Sequence, residues 1–184
     1  GYVAMHLAER GRARSVTALA PAGGWPAGDA SYDHAVALFE RMQRDLVVGA
    51  SLAGLVTRTR RGRRYATRDI ATNSAHIPRE LIVHMARGAR QCPIARTLLQ
   101  MRDEFAWNVD GASIHCPVRI VWGTSDRVLL HPAAGTSYRG WLPGAEWIEL
   151  DGIGHCPQLD DPDTVVRLVR EQVAVAEAAL VQPR

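Results

Sequence analysis

The chain has no lysine; all 22 of its basic residues are arginine. We read this bias as one of coding rather than of function. Against 19 acidic residues the net charge is +3, too small a surplus to select a class of partner. Cysteine is scarce and odd in number: Cys92, Cys116 and Cys156 include no C-x-x-C pair. That spacing argues against a disulfide framework or a zinc site and suggests free thiols in a reducing compartment, hence the cytoplasm. No apolar run approaches the roughly 18 residues of a membrane span. Repeats and low-complexity linkers are absent as well. No methionine opens the chain, so we expect that Gly1 is not the natural start and that a leader could precede it.

What is present is an alternation of short β-rich runs and helical patterns. Residues 2–10 place Val3, Ala4, Leu7 and Ala8 on one helical stripe, closed by Gly11. Ser15 to Ala20 reads as a strand ending at Pro21 and the Gly23-Gly24 pair. From Asp29 to Trp107 the pattern is helical, first with Val36, Phe39 and Met42 in helical spacing. Further helices open near Pro78 and Pro93. Val118, Ile120 and Val121 belong to a nearly continuous apolar run, as in a buried parallel strand. AEWIELDG gives another strand, and a last helix from Asp163 to about Leu180 carries Val165, Leu168, Val169 and Val173. This order predicts an α/β fold with a parallel sheet interrupted by helices.

Two features invite a functional reading that the residues do not sustain. The segment TRTRRGRRYATR, Thr57 to Arg68, holds six arginines but one aromatic. That is a solvated, Arg-rich connection rather than a nucleic-acid surface. The run VVGASLAG, Val47 to Gly54, is close to the G-x-S-x-G turn that presents a nucleophilic serine between strand and helix. The residues leading into Ser51 read as a helix rather than a strand, and the segment after it is basic and contains Gly62, so we expect Ser51 to lie on a helix.

Two other stretches carry a resemblance. PVRIVWGTSDRVL resembles the strand of the α/β-hydrolases whose end delivers the acid of the catalytic triad, and the match falls on Asp126. GIGHCPQLDDP resembles the loop after their last strand, which delivers the histidine, and the match falls on His155. The opening GYVAMHLAERGRARSVTALAPAGGW looks like the helix that follows their nucleophile elbow and the strand after it.

The resemblance implies an α/β fold with a partial parallel sheet and a helical cap inserted between two strands. Core would occupy 1–28 and 109–184, and the cap 29–108. It further implies that the nucleophile lies upstream of Gly1, so that the chain is a fragment, inactive alone, with an uncovered sheet edge. The parent would be a serine ester or acyl hydrolase acting on a small molecule, without cofactor, metal or nucleic acid. An aspartate nucleophile would instead imply a haloalkane dehalogenase or epoxide hydrolase. A ligand-binding domain of the same fold is the non-catalytic alternative. Trp25, after the glycine pair, and Val128, two past Asp126, are the expected pocket-lining residues. Tyr32 and Tyr65 lie where epoxide hydrolases keep ring-opening tyrosines. Cys156 has no base arranged to activate it, and Asp160 and Asp161 are expected to cap the final helix.

Overall fold

A computed structural model describes residues 1–25, 29–92 and 109–181, and the elements follow the expected alternation. Helix α1 (Tyr2–Glu9) leads into β1 (Val16–Leu19), and α2 (Ala30–Val56), α3 (Arg60–Thr67) and α4 (Arg79–Gln91) follow. The chain then returns through β2 (Val118–Gly123), α5 (Thr136–Trp141), β3 (Glu146–Leu150), the short α6 (Pro157–Asp160) and α7 (Pro162–Val181). The helix expected after Pro93, and Trp107 at its end, lie outside the described residues.

The three strands form a parallel sheet in the order β1-β2-β3. Val16 pairs with Val118 at one seam and Ile120 with Trp147 at the other. Among the described residues no strand pairs with the outer edge of β1. β2 is buried at all six positions, because both of its faces are covered. Ile120 and Trp122 join Met5, Ala8 and Ala18 in the main core. Arg119, on the opposite face, is buried yet satisfied: it donates to Glu146 of β3 (2.7 Å) and to the Leu168 carbonyl of α7.

Periodicity located the helices but misplaced their inner faces by about a residue. In α1 the buried pair is Met5 and Ala8, while Val3 and Leu7 are exposed. In α7 the buried positions run Val165, Leu168, Gln172, Ala176, leaving Val169 and Val173 outside. In α2, Ala35 and Leu38 face inward and Phe39 does not. The neighbouring elements, rather than the size or polarity of the side chains, decide which face is covered: Met5 is buried and Val3 is not, Gln172 is buried and Val173 is not.

The arginine-rich segment is also more ordered than its composition suggests. It forms α3, capped by Thr59, whose hydroxyl oxygen accepts from the Gly62 amide at 3.0 Å. Gly62 does not break this helix. A Cβ there would sit 1.7 Å from the Val56 carbonyl oxygen, so glycine is what lets α3 approach the end of α2. Arg68 stacks over the exposed Tyr65 ring and pairs with Asp45. Among the described residues no helix is long and apolar enough to cross a membrane.

Candidate active site

Asp126 and His155 both follow the carboxyl ends of strands, β2 and β3, where parallel α/β sheets place their ligands. The two loops are laced together. The Thr124 amide donates to Leu150 O (3.0 Å), and the Ser125 amide donates to Ile153 O (2.9 Å). The Gly152 amide donates to Thr124 Oγ1 at 2.9 Å. Gly123 makes the approach possible, since a Cβ would lie 2.2 Å from Ile153 O. Its backbone needs space rather than a left-handed conformation; that conformation is found at Gly152, with φ of +69°.

Within this frame the Asp126 carboxylate is fully enclosed and accepts three hydrogen bonds. Oδ1 takes the amides of Val128 (2.8 Å) and Leu129 (2.9 Å), and Oδ2 takes His155 Nδ1–H at 2.9 Å. A carboxylate accepts and does not donate, so the proton of the neutral imidazole resides on Nδ1 and Nε2 presents a lone pair. The His155 side chain keeps 21% of its surface exposed while Asp126 has none. One edge of the ring is therefore fixed and the other is available.

Cys156, next to the histidine, is no competing nucleophile. Burial, followed by the nearby Asp126 and Asp160 charges, pushes its thiol up to about 11. Ser51 lies inside α2, where its hydroxyl accepts from Arg90 at 2.9 Å. The residues on both sides of it are helical, so it does not stand on a strand-to-helix elbow. Among the described residues no hydroxyl or thiol is hydrogen-bonded to His155 Nε2, and no three His, Cys, Asp or Glu side chains gather as metal ligands would.

Trp25 is half-buried just beyond β1, at the same end of the sheet, with its ring edge-on to Tyr32 at 5.1 Å between centroids. Gly24 before it packs so closely that a Cβ would meet Ala134 O at 2.5 Å. Val128 differs from expectation. Its side chain has no exposed surface and belongs to the core, so it offers a ligand nothing. Its contribution is the backbone amide that Asp126 accepts. Tyr65, on α3, is 63% exposed.

The start of the helical segment reaches the acid loop, for His34 Nε2 lies 2.9 Å from Arg127 O. Gly1, at the start of α1, abuts the turn after β1: a Cβ there would lie 2.4 Å from Pro21 Cβ.

The two acidic residues after the histidine loop divide their work. Asp161 caps α7, accepting from the Thr164 amide at 3.1 Å. Asp160 does not cap that helix. It turns inward, 3% exposed, onto the Gly154 amide and the 72–73 backbone. Nothing in its local sequence separates it from Asp161, because its partners Thr72 and Asn73 are more than 80 residues away.

No family model matches the chain. It is similar to Epoxide hydrolase EphH of Mycobacterium tuberculosis, with 29% identity over 170 residues, covering 92% of this chain and 79% of that protein. Among solved structures, it is similar to a thermophilic esterase from Thermogutta terrifontis, with a TM-score of 0.59 and 17% identity. That likeness covers 95% of this chain and 61% of the esterase. It is likewise similar to the 2-hydroxy-6-oxo-6-phenylhexa-2,4-dienoate hydrolase of Rhodococcus sp. strain RHA1, with a TM-score of 0.58 and 16% identity, over 94% of this chain and 60% of the other. The chain thus spans about three fifths of the length of these solved structures.

Proposed function

We propose that the chain, whose fold is that of the α/β-hydrolases, carries the general base and the acid of a hydrolase, His155 and Asp126, and takes its nucleophile from outside the described residues. The observation that carries this reading is the 2.9 Å bond from His155 Nδ1 to an enclosed carboxylate, with the other ring nitrogen left available.

In the favoured form the nucleophile is a serine and the substrate a small ester. Nε2 takes the hydroxyl proton as oxygen bonds to the acyl carbon. It then returns the proton to the leaving alcohol as the ester bond breaks. Water attacks the acyl group in the same manner, giving its proton to Nε2, which passes it back to the serine oxygen. Asp126 holds the ring in the required tautomer and stabilises the imidazolium formed at each transfer. The helices α2 to α4 form the cap over the pocket, and Trp25 lines its floor beside Tyr32. No metal or cofactor enters this scheme.

The test is turnover of p-nitrophenyl butyrate. The 184-residue chain alone gives no catalytic burst, and Ser51→Ala changes nothing. In a protein that also supplies the nucleophile, His155→Gln lowers kcat by about 10³-fold or more. A burst from the chain alone that Ser51→Ala abolishes would reject the assignment.

A second reading is favoured by the 29% identity to an epoxide hydrolase and by the position of Tyr32 against Trp25. There an aspartate opens the epoxide ring, Tyr32 donates to the epoxide oxygen, and His155 activates the water that cleaves the ester intermediate. Styrene oxide turnover that falls on Tyr32→Phe, without ester turnover, would select this reading.

A further inference from the structure

Beyond the Asp126–His155 pair, a second buried carboxylate holds the loop that carries the histidine. Asp160 Oδ1 accepts the amides of Thr72 (2.8 Å) and Asn73 (2.7 Å), and its Oδ2 accepts the amide of Gly154 (2.7 Å). Thr72 Oγ1 lies 3.2 Å from the same Oδ2, but its one proton is better directed to Gly152 O at 2.7 Å. On the other side of His155, the Cys156 amide donates to Ile70 O at 2.8 Å. Both backbone amides flanking the histidine are thus committed, one to Asp160 and one to Ile70. The space between is closed: a Cβ on Gly154 would lie 3.1 Å from Asp160 Oδ2 and 3.2 Å from both Ala71 Cα and Ile70 O. Ala71, Ile77 and Ile82 form a small apolar cluster with Leu159 packed against it, which seats the same turn on α6.

We propose that Asp160 is a positioning residue. It locks the histidine loop to the 70–73 turn of the helical segment and thereby keeps His155 Nδ1 within bonding distance of Asp126. A displacement of that turn is transmitted to the pair through the Gly154 amide. Three amides converge on two oxygens of one carboxylate, and an amide side chain cannot serve them all. In Asp160→Asn the remaining oxygen can keep Thr72 and Asn73, but an NH₂ group then faces the Gly154 N–H, donor against donor. The importance of this lock for turnover rests on His155 being the base; its geometric content does not.

The experiment reads that geometry in the 184-residue chain by NMR. It follows solvent exchange of the His155 Nδ1 proton, assigned by its loss in His155→Gln, while dispersion of the amide spectrum reports folding. Asp160→Asn is expected to speed this exchange at least tenfold in the folded chain. Asp161→Asn, which removes the charge of a helix cap but keeps its acceptor oxygen, is expected to leave it unchanged. Asp160→Glu, which keeps the carboxylate but displaces it by one methylene from the three amides, carries the same test if Asp160→Asn does not fold, and a several-fold acceleration is expected there. An unchanged exchange rate in folded Asp160→Asn overturns the proposal. So does an unchanged rate in Asp160→Glu when Asp160→Asn is unfolded, or an equal acceleration in Asp161→Asn. Turnover that survives His155→Gln would instead count against the hydrolase reading, whatever the exchange rates.

Discussion

Replacing Asp126 separates what its carboxylate does for the fold from what it does for the histidine. In Asp126→Ala the amides of Val128 and Leu129 lose their acceptor, and these residues are 0% and 2% exposed. Each buried orphan donor costs about 1–3 kcal/mol, so the variant should lose about 2–6 kcal/mol. Against the roughly 5–15 kcal/mol of an ordinary domain, that is a large fraction of its stability. Asp126→Asn retains an oxygen at the Oδ1 position. There two charge-assisted bonds become neutral ones, at about 1 kcal/mol each, for a loss of about 2 kcal/mol. Urea unfolding measures both, and a loss of 2 kcal/mol moves the midpoint by about 1 M at an ordinary slope of about 2 kcal/mol per M. An alanine variant more stable than the asparagine one, or within about 0.5 kcal/mol of wild type, would refute the reasoning. The turn amides would then have found another acceptor.

Other outcomes follow from the same geometry. Gly123→Ala forces a Cβ to 2.2 Å from Ile153 O; it should destabilise the chain by about 1–3 kcal/mol in urea and disturb the histidine loop. With its thiol raised to about 11, Cys156 is about one part in a thousand thiolate at pH 8. Iodoacetamide followed by peptide mass mapping should therefore modify the exposed Cys92 in the native chain and Cys156 only after unfolding. The Thr164 amide holds the Asp161 carboxyl below its ordinary value of 3.8. Its stabilisation is present above that value and is lost as pH falls through the lower, folded-state one. Thermal midpoints below pH 4 should thus fall less steeply in Asp161→Asn than in wild type.

The parts legible in the sequence are those that local chemistry dictates. A continuous apolar run bounded by Gly123 could only be a strand covered on both faces, and it placed Asp126 at its end. The Gly-His turn after the next strand placed His155 in the same way. Less legible was which face each helix buries: Met5 and Ala35 win over Val3 and Phe39 because neighbouring elements, not the helix itself, choose the contact. Val128 looked like a pocket residue from its spacing, yet spacing along a turn does not tell a side chain from an amide. Asp160 was read as a cap because its partners, Thr72 and Asn73, enter from a distant part of the chain.

The protonation pattern of the His155 ring, read from its two nitrogen-15 shifts near neutral pH, tests the central claim most directly. In wild type Nδ1 should carry the proton and Nε2 should be bare, and Asp126→Asn should invert the pattern. A wild-type ring protonated on Nε2 instead, or one indifferent to Asp126→Asn, would contradict the account.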